Sequence, residues 1–158
     1  MNSFRWLLDS VVLASAVVIA ISSSWVGAED WPRFRGKNGA GISESTEIPS
    51  KWTEADYKWV VELPGRGNSS PVIWTDHVYV TAADEESGQR HLVCLDKASG
   101  QELWRASDAF EKHKTHKNNS FASSTPCVDE KRVSSAWHSK TSSPLMAFDH
   151  DGNEVWKY

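Results

Sequence analysis

Two loop segments of this 158-residue chain hold the side chains best suited to grip a ligand. The first is Gly65-Arg66-Gly67-Asn68-Ser69-Ser70, directly before Pro71. Glycines on both sides of Arg66 permit positive φ and close backbone approach, and a guanidinium presents a planar fork of donors that matches a carboxylate. The second segment is His113-Lys114-Thr115-His116-Lys117-Asn118-Asn119-Ser120-Phe121-Ala122-Ser123-Ser124. It shares with the first an Asn-x-Ser and a pair of hydroxyl residues ahead of a proline. Arg66, Asn68, Ser69, His116, Asn118 and Asn119 are therefore the candidate ligand- or partner-binding residues. A structural role competes: Asn and Ser also close turns by bonding their own backbone. That role is the expectation for the asparagines and serines, and both readings stay open for Arg66 and His116.

Other chemistries find less support. His113 and His116 are three apart, but Lys112, Lys114 and Lys117 surround them and oppose a cation, so no metal site is expected. Asp84-Glu85-Glu86-Ser87-Gly88 is acidic, yet it lacks the spaced carboxylates of a calcium loop and reads as a hairpin tip. No Ser-His-Asp set, phosphate-cradling glycine loop or helical two-histidine zinc motif is present, so no catalytic residue is assigned. With a net charge of −4, the chain lacks the basic stripe expected of a nucleic-acid binder.

The elements that must position these loops come from a repeat. Val72-Ile73, His77 to Thr81, Leu92 to Asp96 and Glu102-Leu103-Trp104 are short β-like runs with turn residues between them. A second set follows at Cys127-Val128, Arg132-Val133, Leu145 to Asp149 and Glu154-Val155-Trp156. Pro71 and Pro126 are 55 apart, as are Val78 and Val133, whereas Gly100 and Gly152 are 52 apart, as are Trp104 and Trp156. Four strands per unit at this period are the signature of a β-propeller blade. The expected fold is all-β: an incomplete propeller of four-stranded antiparallel blades, with blades at 69–106 and 123–158. Trp59 keeps step with Trp104 and Trp156, so 57–63 is expected to be the outermost strand of a further blade. All three tryptophans are assigned to packing between blades. The stretch 134–143 shows little β-pattern and leaves the second strand of its blade open. Trp31 and Phe34, in a glycine-rich segment, are expected to be buried across the blades.

Residues 1–28 read as a secretory signal, with Arg5 first, an apolar run from Val11 to Ile21, and a small-residue site at Val26-Gly27-Ala28. Cleavage after Ala28 places the protein in the periplasm or outside the cell, with no membrane-spanning segment left. Export makes disulfides possible, but the repeat puts Cys94 and Cys127 on strands of different rank, so both are expected to be free thiols. The remaining residues make about two and a half blades, too few for a closed ring of roughly four to eight. The chain is thus read as an N-terminal portion, its partner an envelope protein or the missing blades.

The Asp30-Trp31-Pro32 opening, the 65–71 lead into a blade and the Leu-Asp-x-x-x-Gly-x-x-Leu-Trp ending at 95–104 resemble the pyrroloquinoline-quinone-like (quinoprotein-like) β-propeller repeat proteins, in particular the secreted propellers of planctomycete-type bacteria. The resemblance spans about residues 30–158. It implies two alternatives: a cofactor-free binding or scaffold module of the envelope, or a dehydrogenase of alcohols or sugars that holds pyrroloquinoline quinone and calcium at the propeller axis. A fragment of either without function is the third. No residue matches the axial carboxylate base such an enzyme requires, so the scaffold is the expectation and no cofactor is evident.

Overall fold

Short apolar runs punctuated by Asp, Gly and Asn fold as hairpins, and the computed structural model, which describes residues 29–46 and 48–158, contains eight strands. The expected signal segment lies outside the described residues. The strands are β1 (Val72–Trp74), β2 (His77–Asp84), β3 (Gln89–Asp96), β4 (Glu102–Ala109), β5 (Cys127–Val128), β6 (Val133–Ala136), β7 (Leu145–Phe148) and β8 (Glu154–Lys157). They form two four-stranded antiparallel meanders, β1-β2-β3-β4 and β5-β6-β7-β8. Among the described residues there is no α-helix, only a short 3₁₀ turn at Glu54–Asp56. This is the expected all-β arrangement of two blades in an unclosed propeller.

Similar turn chemistry explains why the two units share a pattern. After β3, the Asp96 carboxylate accepts hydrogen bonds from the Ser99 amide at 2.7 Å and the Ser99 hydroxyl at 2.5 Å, and Gly100 follows at φ 75°. After β7, Asp149 accepts from the amides of Asp151 (3.1 Å) and Asn153 (2.8 Å), with Gly152 at φ 89°. Each glycine also makes room for an indole. A Cβ on Gly152 would sit 2.8 Å from the Trp104 ring, and one on Gly100 would sit 2.5 Å from the Trp59 ring. The indole Nε1–H groups close the two contacts, Trp104 on the His150 carbonyl (2.8 Å) and Trp59 on the Lys97 carbonyl (3.0 Å).

The main core lies between the sheets, where Val72, Tyr79, Leu92 and Cys94 meet Val128, Val133, Met146 and Phe148. A second apolar cluster of Val78, Val93 and Leu95 lies on the opposite face of β2 and β3. Both cysteines are free, Cys94 buried and Cys127 exposed. Burial pushes the Cys94 thiol up to about 12.

Two expectations need revision, and one open stretch is resolved. The run 57–63 is not a strand among the described residues, because no neighbouring described strand completes a ladder with it; Trp59 holds its place through Gly100, the Lys97 carbonyl and the Val78, Val93 and Leu95 cluster. The stretch 134–143 does begin as a strand, β6, and alternate burial continues past its end through Val133, Ser135, Trp137 and Ser139. In the N-terminal segment Trp31 is half-buried, but Phe34 is 61% exposed. The segment ties the sheets together through backbone: Trp31 exchanges two 2.9 Å hydrogen bonds with Ile73 of β1, and the Pro32 carbonyl accepts from the Val128 amide of β5 at 2.8 Å.

Candidate functional site

The connection from β4 to β5 spans residues 110–126, and its course is set by aromatic packing at its start. Phe110 stacks on Phe121 with ring centroids 4.4 Å apart, folding the connection back on itself. Its far limb is a self-bonded turn: the single Ser123 hydroxyl proton is shared between the Ser120 carbonyl (2.9 Å) and Asn119 Oδ1, while the Ser123 Oγ accepts from the Ser120 amide (3.2 Å). Opposite it, the chain leaves β6 at Trp137 and returns at Pro144, with the Trp137 amide on the Pro144 carbonyl (2.9 Å) and the Ser139 amide on the Ser142 carbonyl (2.8 Å).

Between these two loops is a cleft of about 270 Å³ lined by His113, Thr115, Asn119, Ser120, Phe121, Ser123, Ser124, Ala136, Trp137, His138 and Ser143. The imidazoles of His113 and His138 meet edge to face at 6.4 Å. His113 Nδ1 lies 3.2 Å from the Glu111 carbonyl, which can only accept, so that nitrogen carries a proton. His138 Nδ1 is 2.9 Å from the Ser143 hydroxyl. No carboxylate lines the cleft. Residues 110–124 contain three lysines and two histidines against one glutamate, and Lys140 stands on the opposite loop.

The cleft is held from below by a residue of the other sheet. Arg90 of β3 is 1% exposed and runs beneath Trp137, its guanidinium carbon 5.3 Å from that ring centroid and 5.6 Å from that of Phe110. It donates to the His138 carbonyl at 3.1 Å and to Asp108 at 2.6 Å, and Lys157 of β8 reaches the other Asp108 oxygen at 2.8 Å. Burial pushes the Asp108 carboxyl up, but the hydrogen bonds and charges of Lys157 and Arg90 outweigh it and hold the group below the usual carboxylate range. Arg90 Nε is buried without an acceptor, so the two rings are its compensation on that side.

A second polar group serves packing. Tyr79 donates its hydroxyl to, or accepts from, His150 Nδ1 at 2.8 Å, and His150 Nε2 reaches the Asp129 carbonyl at 3.1 Å. That second contact makes Nε2 the protonated nitrogen and Tyr79 the donor. Burial, followed by the neighbouring Cys94, raises the Tyr79 phenol above its ordinary value.

Of the six candidate residues from the sequence, the structure brings one to the cleft, Asn119. Arg66 forms a backbone bridge with Ala83 of β2 through bonds of 2.9 and 2.8 Å, and its side chain is exposed. The flanking glycines answer this approach: a Cβ on Gly65 would sit 2.1 Å from the Ala83 oxygen, and one on Gly67 2.3 Å from that of Thr81. The Asn68 amide donates to the Ala122 carbonyl (2.9 Å), and the Ser69 hydroxyl accepts from the Thr81 amide (3.1 Å). His116 and Asn118 belong to a local turn in which His116 Nδ1 accepts from the Asn118 amide at 3.2 Å. Arg90, Trp137 and His138 escaped sequence reasoning, although the period-2 placement of Ser135, Trp137 and Ser139 was a signal that could have found Trp137.

On the outer face of the first sheet is a larger groove of about 510 Å³, almost wholly apolar, lined by Trp59, Val61, Leu63, Pro71, Ile73, Val78, Val80, Leu95 and Lys97.

No protein-family model and no curated protein matches the chain. Among solved structures it is similar to a europium-containing methanol dehydrogenase, at 19% identity and a TM-score of 0.41, over 58% of this chain. The chain spans 15% of the length of that enzyme.

Proposed function

We propose that the chain is an exported, noncatalytic binding or scaffold module of a quinoprotein-like β-propeller repeat protein of the cell envelope, and that it receives an anionic group in the cleft between residues 110–124 and 136–143. The composition of that cleft carries the reading. Two imidazoles, an amide and several hydroxyls converge over the Phe121 and Trp137 rings, with lysines on the loops around them and no carboxylate in the lining. Such a surface favours an acidic small molecule or an acidic side chain of a partner. The repeat and its Leu-Asp-x-x-x-Gly-x-x-Leu-Trp ending support the propeller assignment, and the charged, apolar and small-residue zones of residues 1–28 support export.

The alternative is a pyrroloquinoline-quinone dehydrogenase of alcohols or sugars, which holds its quinone and calcium at the propeller axis. That ion takes six to eight oxygen ligands, carboxylates prominent among them, and the donors lining the cleft do not fit this set.

The test is a citrate titration of the full chain, read from the side-chain resonances of His113 and His138. Saturable shifts at both rings, lost in His138→Ala, are expected. Linear, unsaturated shifts with citrate and with inorganic phosphate at millimolar concentration would refute the proposal. Dye reduction on adding pyrroloquinoline quinone, calcium and a primary alcohol would establish the dehydrogenase in its place.

A further inference from the structure

One imidazole of the cleft is, in its uncharged form, the wrong partner for an anion. His113 Nδ1 lies 3.2 Å from the Glu111 carbonyl and carries a proton on that account. A neutral imidazole has a single N–H, so Nε2 of the uncharged ring is a bare acceptor. Nε2 has no hydrogen-bond partner among the described residues, and its half-buried ring belongs to the cleft lining. An oxyanion brought to that nitrogen meets a lone pair, and the two acceptors repel. Once protonated, the same nitrogen is a charged donor. His138 is not restricted in this way, because its Nδ1 faces the Ser143 hydroxyl at 2.9 Å, which donates or accepts, so its Nε2 can hold a proton in the uncharged ring.

The charges around the ring make the ligand its counter-ion. On its own segment His113 is flanked by Glu111, Lys112, Lys114, His116 and Lys117, and across the cleft it meets His138, with Lys140 on that same loop. Phe121, edge on at 5.1 Å, brings no charge. Beneath lies Arg90, committed to the His138 carbonyl and to Asp108, whose other oxygen takes Lys157. Glu111 is the one carboxylate of residues 110–124, and it does not line the cleft. We infer that His113 couples occupancy of the cleft to proton uptake: one proton from solvent enters at Nε2 for each oxyanion bound, and it leaves when the anion leaves. This rests on the reading of the cleft as an anion site and adds its regulation. Because the bound state holds the extra proton, affinity is greatest below the ordinary imidazole value of about 6.5 and falls by up to about tenfold per pH unit above it. The module then captures an acidic group in mildly acidic surroundings and releases it in alkaline ones.

The experiment is calorimetric titration of the full chain with citrate in two buffers of different ionisation enthalpy, at about pH 8, where citrate is fully ionised and an ordinary imidazole is largely neutral. Uptake approaching one proton per citrate is expected, with affinity about tenfold lower at about pH 8.5 than at about pH 7.5. Nitrogen-resolved NMR of the rings should show His113 protonated at Nδ1 alone in the free chain and at both nitrogens when citrate is bound. His113→Gln, whose amide donates without taking a proton, should bind more weakly, with no proton uptake and no change of affinity over this pH range. If that variant does not fold, the ring spectra of the unsubstituted chain decide. Saturable citrate shifts without proton uptake would overturn the inference and leave the anion site standing. So would uptake that survives His113→Gln, or a free His113 ring protonated at Nε2. Linear shifts at every pH would remove the anion site and the coupling together.

Discussion

In the first sheet β2, β3 and β4 are each eight residues long, whereas no strand of the second sheet exceeds four. The long strands are possible because β2 and β3 are covered on both faces and can be apolar almost throughout, from Val78 to Ala83 and from Leu92 to Leu95. In the second sheet the inward positions after Val133 are Ser135, Trp137 and Ser139, which bury an indole and two hydroxyls where the first sheet buries aliphatic chains. That end of the sheet cannot hold itself together by apolar contact, and β6 stops at Ala136. The space it leaves is the cleft. A shortened strand pair in one repeat has become a concave polar surface, propped open by Arg90 of the longer one.

The largest effect is expected from removing the prop. Arg90→Ala strands the Asp108 carboxylate with Lys157 alone and leaves the Trp137 ring unsupported. Breaking a buried pair typically costs about 3–5 kcal/mol, and denaturant titration should show a loss in that range. Amide exchange should speed up most at Trp137 and Ser139 and least in β2 and β3; uniform loss of protection would break the comparison between the sheets. Trp104→Ala should follow, at about 3 kcal/mol, near the low end for a large aromatic because the residue is half-buried. Trp156→Ala, its counterpart on β8, should cost less than about 1 kcal/mol. Equal losses would mean that docking on Gly152 contributes nothing beyond burial.

The pH dependence sharpens the same contrast. Burial, and then the charge of Arg105, hold His91 of β3 below its ordinary value, and Asp108 is also held low. For both groups the unfolded chain binds protons more readily, so stability rises with pH and is lost on acidification. Loss through His91 should begin below about pH 6.5 and loss through Asp108 below about pH 3.9, the unfolded values. His91→Gln should remove the first phase and leave the second, as thermal melts at stepped pH would show. Smaller again is Tyr79→Phe, which removes one hydrogen bond to His150 and should cost about 1 kcal/mol. A cost near zero would show that His150 is satisfied by other partners.

What could be read from the sequence follows the range of the interactions. The Asp-Gly turns at 96–100 and 149–152 are local chemistry, so the strand pattern and the repeat were visible directly. Trp59 makes on Gly100 the contact that Trp104 makes on Gly152, but 57–63 does not become a strand without a neighbour, which is a nonlocal requirement. The cleft was illegible for the same reason. Arg90 lies 47 residues before Trp137 and inside an apolar strand, and nothing near it in sequence marks it as a bridge to the second sheet. From sequence alone Arg66 reads as the better ligand donor, because its glycine neighbours advertise an exposed, adaptable loop.

Those two arginines provide the last test, and the smallest expected effect. Both sit next to β-strand backbone, but Arg90 spends its guanidinium on Asp108 and His138, while Arg66 engages Ala83 only through its own main chain and leaves its side chain exposed. Substituting Ala at Arg66 retains the amide and carbonyl of that bridge. The expected change in stability is within about 0.5 kcal/mol, measured by urea denaturation. Arg66 does not line the cleft, so citrate-dependent shifts at His113 and His138 should persist in the same variant. Loss of the shifts with stability intact would place Arg66 in the binding surface. Loss of stability on the scale of Arg90→Ala would show that its side chain, and not the flanking glycines, secures the edge of β2.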